Sequence, residues 1–257
     1  MNDRVTITIE GGVAEVRLAR PDKLNALDPA MFASLGAAID RLSAATEVRA
    51  VVLSGEGRGF CAGLDMASMA AAGDLGALVG PVPNSFQKVA WGWRTLPMPV
   101  IAALHGVVLG GGLQIASGAD VRIAAPDARL SVMELKWGIV PDMGGYALWR
   151  GLVRDDVLRE AIYTAREFAA REAMVLGFVT RIADDPLAEA RALARAIASR
   201  NPHAIRAAKR LVAVEGDAAT ILAAEAREQA ALIGSPNQRE AVAANLAKRE
   251  AVFRDSD

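Results

Sequence analysis

A single cysteine, Cys61, and only two histidines, His105 and His203, stand in a chain of 257 residues. These shortages remove whole classes of chemistry. One cysteine cannot close an internal disulfide, which suits a reducing, cytoplasmic setting, and Cys61 reads as a small buried hydrophobe. Two histidines exclude a multi-histidine zinc site, and leave few candidates for a Ser-His-Asp triad. No G-x-S-x-G, no Walker A lysine and no intact G-x-G-x-x-G occurs, so the glycines serve something other than a standard nucleotide fingerprint. Charge of one sign is lacking too: 29 Lys and Arg balance 30 Asp and Glu. Without a net positive field a nucleic-acid partner is not expected. The longest apolar run, Pro99 to Leu113, is broken by His105 and several glycines and is too short to span a bilayer. No membrane segment is read, and the start, MNDRVTITIE, alternates as a strand does and carries no signal-peptide pattern.

What is present is a chain long enough to bury a substantial core. Val5 to Glu10 and Val13 to Leu18 alternate around Gly11-Gly12, the pattern of a hairpin. Asp28-Pro29 opens a helix running through Leu42. Short β-branched runs at Ala50–Leu53 and Pro99–Leu104 each close on a glycine turn, and Val121–Ala124 and Leu130–Met133 predict further strands. Repeated strand-strand-helix turns of this kind favour a stacked α/β spiral or another α/β layer. Beyond about Asp142 the pattern is helical, with a strand expected at Phe178–Ile182 and helix starts at Asn201-Pro202, Gly216-Asp217 and Ser235-Pro236. Residues 1–195 are accordingly expected to form the core domain and 196–257 a helical region. Gly73–Pro83 is expected to be a mobile loop.

Two segments carry the chemistry: Gly55-Glu-Gly-Arg-Gly-Phe-Cys-Ala-Gly-Leu-Asp65 and His105-Gly-Val-Val-Leu-Gly-Gly-Gly-Leu-Gln114. Each follows a predicted strand and precedes a predicted helix. Glycine lets a ligand approach the peptide, and a helix start presents unpaired N–H groups. Two such turns on neighbouring strands can aim one N–H each at a single oxygen, forming an oxyanion hole; taken singly, either reads first as a tight turn between strand and helix.

Together these segments resemble the crotonase (enoyl-CoA hydratase/isomerase) superfamily. Arg20-Pro-Asp-Lys-Leu-Asn-Ala-Leu27 is similar to its early CoA-contact segment, Phe60–Asp65 to its first oxyanion turn and Gly110–Gly112 to its second. The resemblance implies a spiral of ββα turns, a C-terminal helical region that packs homotrimers or dimers of trimers, and an acyl-CoA thioester as substrate. No permanently bound cofactor is implied, coenzyme A being part of the substrate, and no metal. Carried over by position, the N–H groups of Leu64 and Gly111 bind the thioester oxygen, and Lys23, Leu24, Ala62 and Asp65 lie at the CoA contact. Lys248 matches a basic position that reaches a neighbouring subunit's CoA, or is a solvent lysine. Trp137 is expected in the acyl-pocket wall or the core.

An enolate held in an oxyanion hole still needs a proton carrier, and carboxylates are the available kind. The first of the two hydratase glutamates falls on Gln114, which neither takes nor releases a proton near neutral pH; the second falls on Glu134. Asp142, in Trp137-Gly-Ile-Val-Pro-Asp142, stands where hydratases have glycine. The Glu134–Asp142 pair resembles dienoyl-CoA isomerases, in which two carboxylates move protons at opposite ends of a conjugated acyl chain; the third acidic position of those isomerases is again Gln114 here, so the match is incomplete. Asp142 alone also matches the dehalogenase branch, where an aspartate attacks an aryl carbon. Other readings stand beside these: Asp142 as N-cap of a helix beginning near Met143, Glu134 as partner of an arginine, Gln114 as a group orienting water or a carboxylate. The resemblance therefore implies double-bond isomerisation, with enoyl-CoA hydration as the alternative and a catalytically inactive acyl-CoA-binding protein as an alternative of another class.

Overall fold

A computed structural model describes residues 4–71 and 81–255. Strands β1 (Val5–Glu10) and β2 (Val13–Leu18) form the expected antiparallel hairpin, with Gly11 and Gly12 at φ +55° and +77°. That left-handed pair gives the turn a twist matching its strands. Helix α1 (Pro29–Ser43) starts where the Asp28 carboxylate accepts the Met31 N–H at 2.8 Å, and buries Met31, Leu35, Ala38 and Leu42 along one face.

The chain then alternates: β3 (Ala50–Gly55), α2 (Met66–Ala71), α3 (Ser85–Thr95), β4 (Val100–Leu104), β5 (Val107–Leu109), α4 (Gly111–Gly118), β6 (Val121–Ala124) and β7 (Arg129–Ser131). A 3-10 turn at Glu134–Trp137 leads to α5 (Gly145–Trp149), α6 (Asp155–Thr164), β8 (Phe168–Ala169), α7 (Ala170–Leu176), β9 (Arg181–Ile182) and α8 (Pro186–Ala198). Helices α9 (Pro202–Val212), α10 (Ala218–Leu232) and α11 (Pro236–Leu246) follow, each starting at the N-cap read from sequence.

One sheet has the order β1-β2-β3-β4-β6-β9, parallel throughout apart from the hairpin, and a second has the order β5-β7-β8. Both faces of the large sheet are covered, so its central strands read as continuous apolar runs. Val51, Leu53, Ala102 and Leu104 join the main core with α1, α3 and α4. Ala50, Val52, Ile101, Ala103 and Ile123 meet Ala190, Ala194 and Ala198 of α8. Alanines four apart let that helix lie close on the sheet, so a large side chain at Ala194 would lift it off.

Three local expectations are corrected. The strand anticipated at Phe178–Ile182 shrinks to Arg181–Ile182, because the N–H groups of Phe178 and Val179 are spent on the Ala173 carbonyl at the end of α7. The strand at Leu130–Met133 is Arg129–Ser131, and β5 lies inside what reads in sequence as a glycine turn. Of the Gly73–Pro83 segment only Pro81–Pro83 falls within the described residues. Among the described residues no helix is long and apolar enough to cross a membrane, and no group of three metal-ligating side chains occurs.

Candidate active site

The two glycine segments come together because β3 and β4 are neighbours, so the turns leaving them run side by side. Phe60 N–H donates to the His105 carbonyl at 2.9 Å, Cys61 N–H to Val107 at 3.0 Å, and Leu109 N–H back to Cys61 at 3.0 Å. The crossing needs glycine: Gly63 sits at φ +88°, and a Cβ there would come within 2.7 Å of the Leu109 carbonyl oxygen and 3.6 Å of the Gly111 nitrogen. Leu64 and Gly111 are thus brought to one place. Neither N–H donates to another described residue. Gly111 opens α4, where backbone N–H groups lack intrahelical partners and the helix dipole adds positive potential. Two free N–H groups converging in a walled turn are suited to an oxygen that gains negative charge.

Glu134 lies beside them. A Cβ on Gly110 would stand 3.4 Å from Glu134 Oε1 and 3.9 Å from Oε2, so the glycine makes room for the carboxylate. Glu134 is only 7% exposed, and its Oε2 is buried without a hydrogen-bond partner among the described residues. Burial raises its carboxyl above the ordinary range; hydrogen bonds from its own N–H and from Gln114 oppose that, and the charge of Asp142 adds to it. Its partner is Gln114 and not an arginine: Gln114 Nε2 donates to Glu134 Oε1 at 2.7 Å.

Asp142 does not cap a helix beginning at Met143. Helix α5 begins at Gly145 after a left-handed Gly144, and Gln114 Oε1 accepts the N–H groups of Met143 at 2.9 Å and Gly145 at 3.0 Å. Asp142 stands exposed at the rim, where partial desolvation raises its carboxyl as well. Trp137 is 55% exposed in this single chain and is not core, with Ile139 and Val140 exposed beside it.

In the Arg20–Leu27 segment, Leu24 and Asn25 adopt left-handed conformations with φ 49° and 57°, and the Leu24 carbonyl accepts the Ala62 N–H at 2.9 Å. Lys23 is exposed just before them. Arg20 and Asn25 are the residues that sequence reasoning missed. Asn25 is fully buried and donates to the carbonyls of Glu56 and Gly59, each at 2.9 Å. Arg20 lies between Asp28 at 3.5 Å and Asp65 at 2.8 Å. Asp65 also accepts the Ser68 N–H at 3.2 Å, so its carboxylate is committed to holding the turn. An asparagine following a leucine in a loop is the one available signal, since Asn tolerates the left-handed region; the Arg20 cluster is assembled only by the fold.

Cys61 is buried, its Sγ 3.2 Å from the Asn25 carbonyl, and burial pushes its thiol up to about 12. It is structural filler beside the site. His105 Nε2 is 3.0 Å from the Gly57 carbonyl, and His203 sits in the first turn of α9. Lys248 is exposed with φ 52°, just past the end of α11.

The family model described as Enoyl-CoA hydratase/isomerase matches residues 8–256. The short-chain-enoyl-CoA hydratase of Clostridium acetobutylicum is 32% identical over 96% of this chain and 96% of its own length. The mitochondrial delta(3,5)-delta(2,4)-dienoyl-CoA isomerase of Mus musculus is 33% identical over 77% of this chain and 64% of its own length. A crystal structure of enoyl-CoA hydratase from Bacillus anthracis, 29% identical, superposes with a TM-score of 0.89 over 97% of this chain and 98% of that one. The crotonase-type α/β fold expected from the three glycine and CoA-segment motifs is therefore the fold the chain has, and it belongs to the enoyl-CoA hydratase/isomerase family of enzymes.

Proposed function

We propose that this protein isomerises an unsaturated acyl-CoA, shifting a 3,5-dienoyl to a 2,4-dienoyl thioester, with Glu134 and Asp142 as proton carriers. The carrying observation is Asp142, an acid where hydratases have glycine, whose charge reaches Glu134, taken together with the state of position 114. In place of a second acid beside the glycine turn, the buried Gln114 is spent on Glu134 and on the Met143–Gly145 turn. A water attacking the β-carbon would lack its own base, whereas a proton shift along a conjugated chain needs one carrier near the thioester and one further out.

In this reading the thioester oxygen accepts from Leu64 and Gly111, which stabilise the dienolate. Glu134, beside Gly110, removes the proton from the α-carbon, and the electron pair moves along the diene. Asp142 delivers a proton to the ε-carbon; desolvation holds both carboxyl groups above their ordinary range, the direction that favours proton exchange. The Lys23–Leu24 turn and Ala62 flank the CoA, Asp65 holds that turn through Arg20, and Trp137 borders the acyl path. Exposed Val212, Leu222, Ile233 and Leu246 on and around α9–α11 support a homotrimer or dimer of trimers, in which Lys248 reaches a neighbour's CoA. No metal and no permanently bound cofactor enters the reaction.

Hydration of a 2-enoyl-CoA is the second reading, favoured by the overall likeness to a hydratase structure. The test is Asp142→Asn assayed in deuterated water. The proposal expects exchange at the α-carbon to persist while diene isomerisation is lost; isomerisation at the wild-type rate in this variant would overturn the role of Asp142.

A further inference from the structure

The amide of Gln114 has only one workable orientation. Its Oε1 faces two backbone donors, Met143 N–H at 2.9 Å and Gly145 N–H at 3.0 Å, on a side chain that is 1% exposed. Rotating the amide by half a turn would set its NH2 against both N–H groups and its oxygen against the Glu134 carboxylate, leaving three buried groups without partners. The backbone of the 142–145 turn therefore fixes which end of Gln114 meets Glu134. Nε2, 2.7 Å from Glu134 Oε1, can only donate. A protonated Oε1 would confront that donor, whereas Oε2 has no partner among the described residues.

Resting on the isomerase reading, we infer that Gln114 is a positioning residue that reserves Glu134 Oε1 as an acceptor and confines the mobile proton to Oε2. The same side chain joins the two carboxylates mechanically, since the segment it grips begins one residue after Asp142. Where a hydratase has a second acid, this chain has a clamp that makes Glu134 a carrier acting through one oxygen.

The other charged groups around Glu134 do not supply this function. Lys136 on the same 3-10 turn is exposed, α4 carries no titratable residue, and the Asp155, Asp156, Arg159, Glu160 and Tyr163 side chains of α6, which packs on that turn, are exposed. Asp142 is the acid whose charge reaches Glu134.

The test combines NMR of the intact protein with kinetics in Gln114→Met and Gln114→Glu. Methionine keeps the volume and removes all three hydrogen bonds; glutamate keeps the acceptor for Met143 and Gly145 and removes the donor. Both variants are expected to move the Glu134 side-chain carboxyl carbon midpoint to higher pH, and in wild type the Gln114 side-chain amide signals are expected to titrate with that midpoint. With a dienoyl-CoA substrate, kcat is expected to fall about tenfold to a hundredfold with KM within about threefold of wild type, the pattern for loss of an interaction that acts in the chemical step. A Glu134 midpoint unchanged in both variants, or Gln114 amide signals that ignore it, would overturn the inference. Lost thermal stability with an unmoved midpoint would reduce Gln114 to a structural role. If wild type turns over no dienoyl-CoA, the isomerase reading fails on its own, while the NMR midpoints still decide what Gln114 does.

Discussion

Replacing Gly111 by proline tests the oxyanion hole with little collateral damage, because of where Gly111 sits. It is the first residue of α4, a position where proline is favoured since the N–H it lacks has no intrahelical partner. Gly110 before it has φ 50° and ψ −120°, a positive-φ conformation open to glycine that lies outside the right-handed helical region proline disfavours in its predecessor. The difficulty is space: a Cβ at 111 would stand 2.8 Å from Leu27 Cδ1 and 2.9 Å from Met143 Sδ. Both are ends of flexible side chains, so the crowding costs about 1 kcal/mol. Gly111→Ala meets that same crowding and keeps the N–H, so the ratio of the two variants isolates the donor. Loss of one oxyanion donor typically lowers turnover by about two to three decades, or roughly 2.7–4 kcal/mol. The assay is kcat/KM on crotonyl-CoA and on a 3,5-dienoyl-CoA, with circular dichroism to confirm folding. If a folded Gly111→Pro protein works within about threefold of Gly111→Ala on every substrate turned over, the N–H carries no catalytic load and the site is elsewhere.

Other outcomes follow from the same geometry. Asp142→Asn removes a charge that raises Glu134, so the acidic limb of α-carbon exchange, set by deprotonation of Glu134, should move to lower pH, while affinity for a CoA thioester, read by calorimetry, stays near wild type. Glu134→Gln should abolish proton exchange and yet stabilise the fold at neutral pH. A folded-state carboxyl raised above its unfolded value contributes stability fully present below the unfolded value and lost as pH rises through the folded one, so in urea melts the advantage of the variant should appear at neutral pH and vanish below about pH 4. Arg20→Met takes the cation from Asp65, while Asp28 keeps Arg4 at 2.8 Å, and should cost about 3 kcal/mol in denaturant unfolding with a weakened CoA-thioester affinity.

Much of this was legible in the residues. The Gly11-Gly12 hairpin, the Asp28, Asp217 and Ser235 caps and the parallel strands closing on glycine turns all formed as local chemistry dictates. The pairing of the two glycine turns was also foreseeable, since neighbouring strands deliver them to one place. Gln114 was read as a possible support for a carboxylate, but its second task, gripping the Met143 and Gly145 N–H groups, depends on a turn 29 and 31 residues away. For the same reason the helix start after Asp142 was misplaced: the side chain that satisfies those N–H groups comes from α4 and not from Asp142. Trp137, expected in the acyl-pocket wall or the core, illustrates the opposite limit: the single chain leaves it outside the core. Burial against another chain or a ligand leaves no mark on a residue's own sequence neighbourhood.

Partition of products in deuterated water tests the central claim most directly. Purified protein is incubated separately with crotonyl-CoA and with a 3,5-dienoyl-CoA, and the products are read by mass spectrometry for deuterium and for added oxygen. Two proton carriers flanking an oxyanion hole, with Gln114 in place of a second hydratase acid, predict a 2,4-dienoyl product that carries deuterium and no added oxygen, and little 3-hydroxyacyl product from crotonyl-CoA. Rapid water addition to crotonyl-CoA, no diene shift, and indifference to Asp142→Asn would contradict the account and leave Glu134 as the sole essential carboxylate.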